Sequence, residues 1–312
     1  MAKPRILFMG TPAFALPSLQ LLYEQQYPII GVVSQPDRPQ GRGLKEVTPP
    51  VKILAQKIGL PVFQPEKVKD HSFIELFQKL NPEMVVVVAF GQILPKVIID
   101  NPPMQCLNVH PSLLPKYRGA APINWTIIRG ETKTGVTIML MDEGMDSGDI
   151  LLQEKTQLGA TETYGELHDR LAQLGATLLI KAIEQVVAGT AQRQLQDVSG
   201  VTFAPRLKKE TGKISWQDSA FDIVNLIRGL SPSPAAYTHL EGQVLKIFFA
   251  ETNQNKVSEA PGTIGAASPV GLPIAASDGY VILKDVQLAG KKRMLTQDFL
   301  RGHRLPQGTV LQ

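Results

Sequence analysis

Residues 5–33, RILFMGTPAFALPSLQLLYEQQYPIIGVV, decide the fold. Arg5 to Gly10 is apolar without alternation, the pattern of a parallel strand buried on both faces. Thr11-Pro12 has the form of an N-cap followed by proline at the first helical position, and predicts a helix through about Glu24. Ile29 to Val33 is a second apolar strand. Strand, helix and strand in about thirty residues make a βαβ unit, and with it a mostly parallel, Rossmann-like α/β sheet. The turn after the first strand holds one glycine rather than a spaced triplet, and no Gly-Lys-Ser/Thr phosphate loop occurs in the chain. Nicotinamide cofactors and nucleoside triphosphates are therefore set aside.

Residues 34–50, SQPDRPQGRGLKEVTPP, read as a long Pro/Gly-rich loop carrying Arg38, Arg42 and Lys45. A loop of that length inside a compact sheet domain is functional or disordered. Helices are expected over Val51–Ile58 and Ser72–Leu80, with a mixed segment between them. Glu83 to Phe90 holds the most hydrophobic run of the chain, Met84-Val85-Val86-Val87-Val88-Ala89, and its β-branched residues suit a central parallel strand. Phe90-Gly91-Gln92-Ile93-Leu94 follows at the carboxyl end of that strand, where open α/β sheets bind ligands. Phe90 reads equally as core.

The chemistry is concentrated between Cys106 and Asp149. Strand alternation over Cys106–His110 places Asn108 and His110 on one face and Leu107 and Val109 on the other. A proline-held turn, a helix (Ile123 to Arg129) and a strand (Gly135 to Met141) follow, and the segment closes on Asp142-Glu143-Gly144-Met145-Asp146-Ser147-Gly148-Asp149. An amide, an imidazole and a carboxylate at neighbouring strand mouths are the parts that handle a carbonyl group. The amide donates to a developing oxyanion, the imidazole moves a proton, and the carboxylate orients that imidazole. Taken singly, Asn-x-His at a strand end is usually structural, and the acidic loop has the form of a solvated turn. Its spacing misses the calcium-loop pattern.

The combination resembles the folate-dependent formyltransferases. Asn108-x-His110, then Ser112-Leu113-Leu114-Pro115, then Asp146 match that family's catalytic set. The string SLLPKYRGAAPI (112–123) and the upstream Gln35-Pro36-Asp37-Arg38-Pro39-x-Gly41-Arg42-Gly43 narrow the match to the branch that formylates the methionine amine on initiator methionyl-tRNA. The resemblance covers the whole chain and implies 10-formyltetrahydrofolate as co-substrate, with no metal. It implies catalytic roles for Asn108, His110 and Asp146. It also implies a folate pocket lined by Phe90, Gly91, Ile93, Leu94, Ser112, Leu113, Leu114, Pro115 and Asp142, and a tRNA-contacting loop bearing Arg38, Arg42 and Lys45. Pro111 departs from the glycine frequent after this histidine in the family. Relatives acting on glycinamide ribonucleotide or an amino sugar, and formyltetrahydrofolate hydrolases, share the same core and form the alternative.

After Asp149 a strand (Ile150 to Thr156) leads to a long helix from Thr163 to about Val187. Thr163 and Glu166 make a capping box, and Leu167, Leu171, Leu174, Leu178 and Ile183 form an apolar stripe. The expected division is a formyltransferase catalytic domain at 1–189, a linker at 190–208 and an OB-like tRNA-binding domain at 209–312. In the last part a helix (Ala220–Leu230) precedes short strands at Ala236–Leu240, Gln243–Glu251, Gly262–Ala266, Leu272–Ala276, Tyr280–Gln287 and Thr309–Leu311, which suit a small β-barrel. Lysines and arginines balance aspartates and glutamates at 19 each over 1–204, whereas 205–312 holds 13 against 9, so the net +4 lies in the last third. A basic bias confined there suits a polyanion, with Lys246, Lys291, Lys292 and Arg293 as candidate phosphate contacts. The run Gly290–Arg293, taken alone, is as readily a solvated surface.

One cysteine, Cys106, excludes an intrachain disulfide and suits a reducing compartment. No signal core or membrane-length apolar run occurs, so a cytoplasmic protein is expected, and the lack of a heptad seam makes monomer the default. The five histidines (71, 110, 168, 239 and 303) form no ligand cluster along the sequence.

Overall fold

The computed structural model describes residues 2–40, 45–266, 271–303 and 305–312. They form two compact units: Met1–Gly119 with Lys133–Thr156 and His168–Ala204, and Ala120–Thr132 with Gln157–Leu167 and Pro205–Gln312.

The first unit is built on β1 (Ile6–Gly10), α1 (Leu16–Glu24), β2 (Ile29–Val33), the short pair β3 (Arg38–Gln40) and β4 (Lys45–Val47), α2 (Pro50–Lys57), β5 (Val62–Phe63), α3 (His71–Leu80), β6 (Met84–Val88), α4 (Lys96–Asp100) and β7 (Cys106–His110). After α5 (Pro122–Ile128) of the second unit come β8 (Lys133–Leu140), β9 (Ile150–Gln157) and the long α6 (Tyr164–Val187). The sheet order is β5-β2-β1-β6-β7-β8-β9. The pairs β1/β2, β1/β6 and β6/β7 are parallel, and β8 runs antiparallel to β7. The chain goes outward from β1 to β2 and then returns to β6 on the other side. This order reversal places a crevice at the carboxyl ends of β1 and β6.

Alternation sets the faces as the sequence predicts. Leu7, Met9, Val85, Val87 and Cys106 share a buried cluster with Phe73 and Phe77 of α3, Ile98 of α4, and Phe90 and Leu94 from the segment between β6 and α4. Val109 points the other way, against α6. A Cβ on Gly175 of that helix would stand 2.8 Å from Val109, so glycine is what lets helix and strand approach. Cys106 is the small buried hydrophobe expected, and burial pushes its thiol pKa upward. The Thr163–Glu166 capping box forms, with Thr163 N–H donating to Glu166 at 2.8 Å and Glu166 N–H donating to Thr163 Oγ1 at 3.4 Å.

Four local expectations change. Thr11 does not cap α1. A 3-10 turn (Ala13–Ala15) intervenes and the hydroxyl of Thr11 donates instead to the Phe90 carbonyl at 2.9 Å. Within 34–50, β3 and β4 pair antiparallel, so part of the expected loop is a hairpin. Its base is fixed by Asp37, which accepts from Lys52 Nζ at 2.7 Å and Gln64 Nε2 at 2.8 Å. The Lys52 bond is the first cause holding the Asp37 carboxyl below its usual pKa. The elements β5 and α4, two and five residues long, are too short to register as periodicity. Finally, 190–208 is less a bare linker than its composition predicts: Gln194 bridges Ile150, and Arg118 bridges Phe203.

The second unit contains α5, α7 (Ala220–Leu230), β10 (Ala236–Leu240), β11 (Gln243–Asn253), β12 (Leu272–Ala275), β13 (Tyr280–Leu288), β14 (Met294–Leu295) and α8 (Thr296–Gly302). Its antiparallel sheet runs β10-β11-β13-β12, with β14 on β13. Gly262–Gly265 adds to β12 through Gly262 N–H to the Ala275 carbonyl and Gly265 N–H to the Pro273 carbonyl, at 2.8 and 2.9 Å. Thr309–Leu311 pairs with that segment, and Gln312 exchanges both backbone hydrogen bonds with His239 of β10. The sheet thereby curls until its edges meet, a small OB-like barrel whose strand edges are paired rather than open. Its core gathers Ile214, Trp216, Ile223, Ile227, Leu245, Ile247, Ile264, Val281, Leu283 and Leu311. Helices α5 and α7 cross closely at Gly229, where a Cβ would stand 2.7 Å from Ile128, and Asn124 Nδ2 donates to the Gly229 carbonyl at 2.8 Å.

Candidate active site

Strand β7 delivers Asn108 and His110 to the face that also carries Phe90 and Leu94. In the parallel register Asn108 lies beside Val87, and the antiparallel register sets His110 opposite Thr137. The side chain of His110 is 5% exposed. Its Nε2 lies 3.1 Å from the Tyr117 carbonyl, and since a carbonyl only accepts, Nε2 carries the proton. Nδ1 is then the nitrogen open to proton exchange, and it faces Asp146 Oδ1 at 3.6 Å. That gap is longer than a hydrogen bond but close enough for strong attraction once the imidazole is charged. Oδ2 of Asp146 accepts from Gly119 N–H at 2.8 Å. Among the described residues nothing hydrogen-bonds the half-buried Asn108 carboxamide, which leaves its N–H groups for a carbonyl oxygen.

The 112–115 turn is held by the hydroxyl of Ser112 and, from behind, by two residues the sequence reading passed over, Thr137 and Gln153. Ser112, 0% exposed, donates to the Lys116 carbonyl at 2.6 Å. Thr137 of β8 donates to the Ser112 carbonyl and accepts from Leu114 N–H, while Gln153 of β9 donates to the Leu114 carbonyl. Leu114 is buried, and Leu113 and Pro115 are half-buried. A polar residue inside the apolar run Val136–Leu140 was the available signal for Thr137, whereas Gln153 opens the polar half of β9 and stands out from nothing around it.

At the crevice between β1 and β6, Ala89 and Gly91 hold left-handed backbone, with φ of +48° and +89°. Phe90 and Leu94 are buried in the core cluster, whereas Gly91 is exposed and Ile93 is 89% exposed. The Phe90 carbonyl is taken by Thr11 and by Gln35 Nε2, at 2.9 and 3.3 Å. Asp142 closes its own loop, accepting from Ser147 Oγ and from Gly144 N–H. The structure thus brings Asn108, His110 and Asp146 into one neighbourhood, with an exposed backbone shelf at the ends of the parallel strands.

Arg38 is exposed and 3.8 Å from Glu66. Arg42 lies outside the described residues, as does the side chain of Lys45. In the second unit Lys246 donates to the Pro234 carbonyl at 3.0 Å, and Lys291 and Lys292 are exposed. Arg293 spends its charge locally: Nε and Nη2 both reach Asp285 Oδ2, and the guanidinium lies over Phe248 at 4.3 Å. No His/Cys/Asp/Glu group suited to a metal ion occurs among the described residues, nor does a helix long and apolar enough to cross a membrane.

A mostly parallel sheet with an amide, an imidazole and a carboxylate near adjacent strand ends, followed by a small barrel, is an arrangement able to act on a carbonyl group. The chain belongs to the formyl transferase family: the formyl transferase domain matches residues 4–183 and the formyl transferase C-terminal domain matches 206–304. It is 57% identical over 311 residues to a methionyl-tRNA formyltransferase of Syntrophus aciditrophicus, covering 100% of both chains. It is 47% identical to the methionyl-tRNA formyltransferase of Citrifermentans bemidjiense, covering 100% of this chain and 97% of that one. Among solved structures, the N-formyltransferase of Helicobacter canadensis superposes with a TM-score of 0.66 at 18% identity, over 94% of this chain and 100% of its own, a likeness of fold.

Proposed function

We propose that the chain transfers the formyl group of 10-formyltetrahydrofolate to the α-amine of methionine carried on initiator methionyl-tRNA. The observation that carries this reading is the 57% identity, over the full length of both chains, to a protein named for that acceptor. The residues present fit a folate donor. The crevice at the ends of β1 and β6 offers exposed backbone at Ala89 and Gly91 to a hydrogen-bonding ring, and the exposed Ile93 offers it an apolar flank. Bound there, the donor supplies an activated formyl carbon.

The chain's own groups then act on the charge and the proton. Asn108 donates to the formyl oxygen as negative charge develops on it, and preorganised donors of this kind are the largest electrostatic contribution to such reactions. As the amine attacks the formyl carbon, His110, with Nε2–H held on the Tyr117 carbonyl, takes the amine proton at Nδ1. The imidazolium that results is stabilised by Asp146 and returns a proton to the folate nitrogen as the bond between that nitrogen and the formyl carbon breaks. Histidine suits the task because its ordinary pKa lies near neutrality. The exposed basic residues Lys291 and Lys292 make phosphate contacts that position the tRNA without reading its sequence. We assign the functional division at 1–189, 190–208 and 209–312, with the protein at work in the cytoplasm as a monomer.

The β3–β4 hairpin carries the tRNA contacts of the first unit. Arg42→Ala is expected to raise KM for the charged tRNA by about tenfold or more, the scale of a lost charged hydrogen bond, while the KM for the folate donor stays within about twofold. Equal losses for both substrates would remove the hairpin from tRNA recognition. The direct test of the reading is transfer of a labelled formyl group to charged initiator tRNA.

A further inference from the structure

The loop that presents Asp146 is held from a direction that the set Asn108, His110 and Asp146 does not include. Asp146 has φ of +50°, the left-handed region that non-glycine residues occupy only when their surroundings enforce it. The enforcement is visible. Nε2 of Gln196 donates to the backbone carbonyls of both Asp146 and Gly148, each at 2.8 Å. The side-chain oxygen of Gln196 accepts from Nε and Nη2 of Arg118, at 3.1 and 2.7 Å. Arg118 is anchored in turn, its N–H donating to the Thr202 carbonyl and its carbonyl accepting from Ala204 N–H.

This arrangement leaves no ambiguity about the amide. Carbonyls only accept and a guanidinium only donates, so a flipped Gln196 would set its oxygen against two carbonyls and its NH2 against Arg118. Both N–H groups are used, and the oxygen is filled by a charged fork. The next residue, Gly119, closes the circuit through its N–H to the Asp146 carboxylate. One arginine–glutamine pair therefore fixes the backbone on both sides of Ser147, while its neighbour fixes the side chain.

We propose that Gln196, oriented by Arg118, is a positioning residue that holds Asp146 in its left-handed conformation facing His110. The inference rests on the reading of His110 and Asp146 as the proton-handling pair. The polar atoms of the Gln196 side chain are all engaged by the loop carbonyls and Arg118, so it acts through Asp146. It sets where the carboxylate stands, and a displacement of about 1 Å at a reacting group costs up to about a hundredfold in rate.

The test is a two-by-two set of variants in the full chain, assayed by formyl transfer to charged tRNA. Gln196→Glu keeps the shape and the acceptor for Arg118 but loses both donors to the loop carbonyls. It is expected to lower kcat by about tenfold or more with both KM values within about twofold. Asp146→Asn should lower kcat by itself, and adding Gln196→Glu to it should cost less than about twofold more, because the group being positioned is already gone. The same fold-loss in both backgrounds would overturn the inference and leave Gln196 a purely structural part. An Asp146→Asn enzyme with unchanged kcat would instead overturn the reading of the pair, and the inference with it. Should Gln196→Glu fail to fold, Arg118→Lys, which keeps the charge and loses the fork, enters the same comparison.

Discussion

Replacing His110 by alanine is expected to lower turnover by about a hundredfold or more, the scale of a positioned proton-transfer group. Two features of the structure argue for an effect of that size. The imidazole is almost wholly buried, so bulk water does not substitute for it. Its orientation is fixed by the Tyr117 carbonyl on one side and the Asp146 carboxylate on the other, so no neighbouring side chain takes over its place. The substitution also removes the hydrogen bond from His110 to the Tyr117 carbonyl, at a cost to stability of about 1 kcal/mol. Turnover is therefore to be compared at a temperature where melting curves show the variant folded. A folded His110→Ala enzyme with near-normal kcat would remove His110 from the chemistry.

The second large effect comes from a glycine. Gly148→Ala places a Cβ 2.0 Å from the Leu140 carbonyl oxygen at the mouth of the β8–β9 hairpin. That oxygen belongs to a residue held in the sheet, where Leu140 pairs with Leu107 and its N–H donates to the Asp149 carbonyl. The loop, not the strand, must yield, and relieving the clash moves it by roughly 1 Å. Overpacking of this kind costs about 1–3 kcal/mol. It also drags Asp146, two residues away, from its place before His110. Turnover is expected to fall by on the order of tenfold to a hundredfold, with Tm lowered by about 2–4 °C per kcal/mol lost. Alanine at Gly302, which has nothing within 4 Å of its would-be Cβ, serves as the comparison and should be tolerated. Equal behaviour of the two variants in melting and turnover would contradict the account of the Asp146 loop.

Much of this was legible in the chain because strands announce themselves. Apolar runs at Ile6–Gly10, Ile29–Val33 and Met84–Val88 declare a parallel sheet, and period-two alternation alone puts Asn108 and His110 on the face opposite Val109. The barrel strands were legible from turn spacing, including the segments near 262–266 and 309–311 whose pairing closes it. What stayed hidden was held by contacts distant in sequence. Thr11 looks like a helix cap because capping is a local rule, and nothing local says that the Phe90 carbonyl competes for its hydroxyl. The pair β3 and β4 hides in a Pro/Gly-rich stretch because three-residue strands carry no period. Gln196 hides in a polar segment without periodicity, since one amide spanning two carbonyls fifty positions back leaves no pattern there. Arg118 lay in the quoted string 112–123 without a structural partner to give it meaning.

The measurement that tests the central claim most directly is formyl transfer from 10-formyltetrahydrofolate with charged initiator methionyl-tRNA, glycinamide ribonucleotide and water competing as acceptors. Formyl transfer to the methionyl-tRNA alone is the predicted result, and it would give the barrel and the β3–β4 hairpin their acceptor. Transfer to the small amine, or hydrolysis of the donor without transfer, would leave a role for Asn108, His110 and Asp146 and contradict the assignment of the tRNA as acceptor.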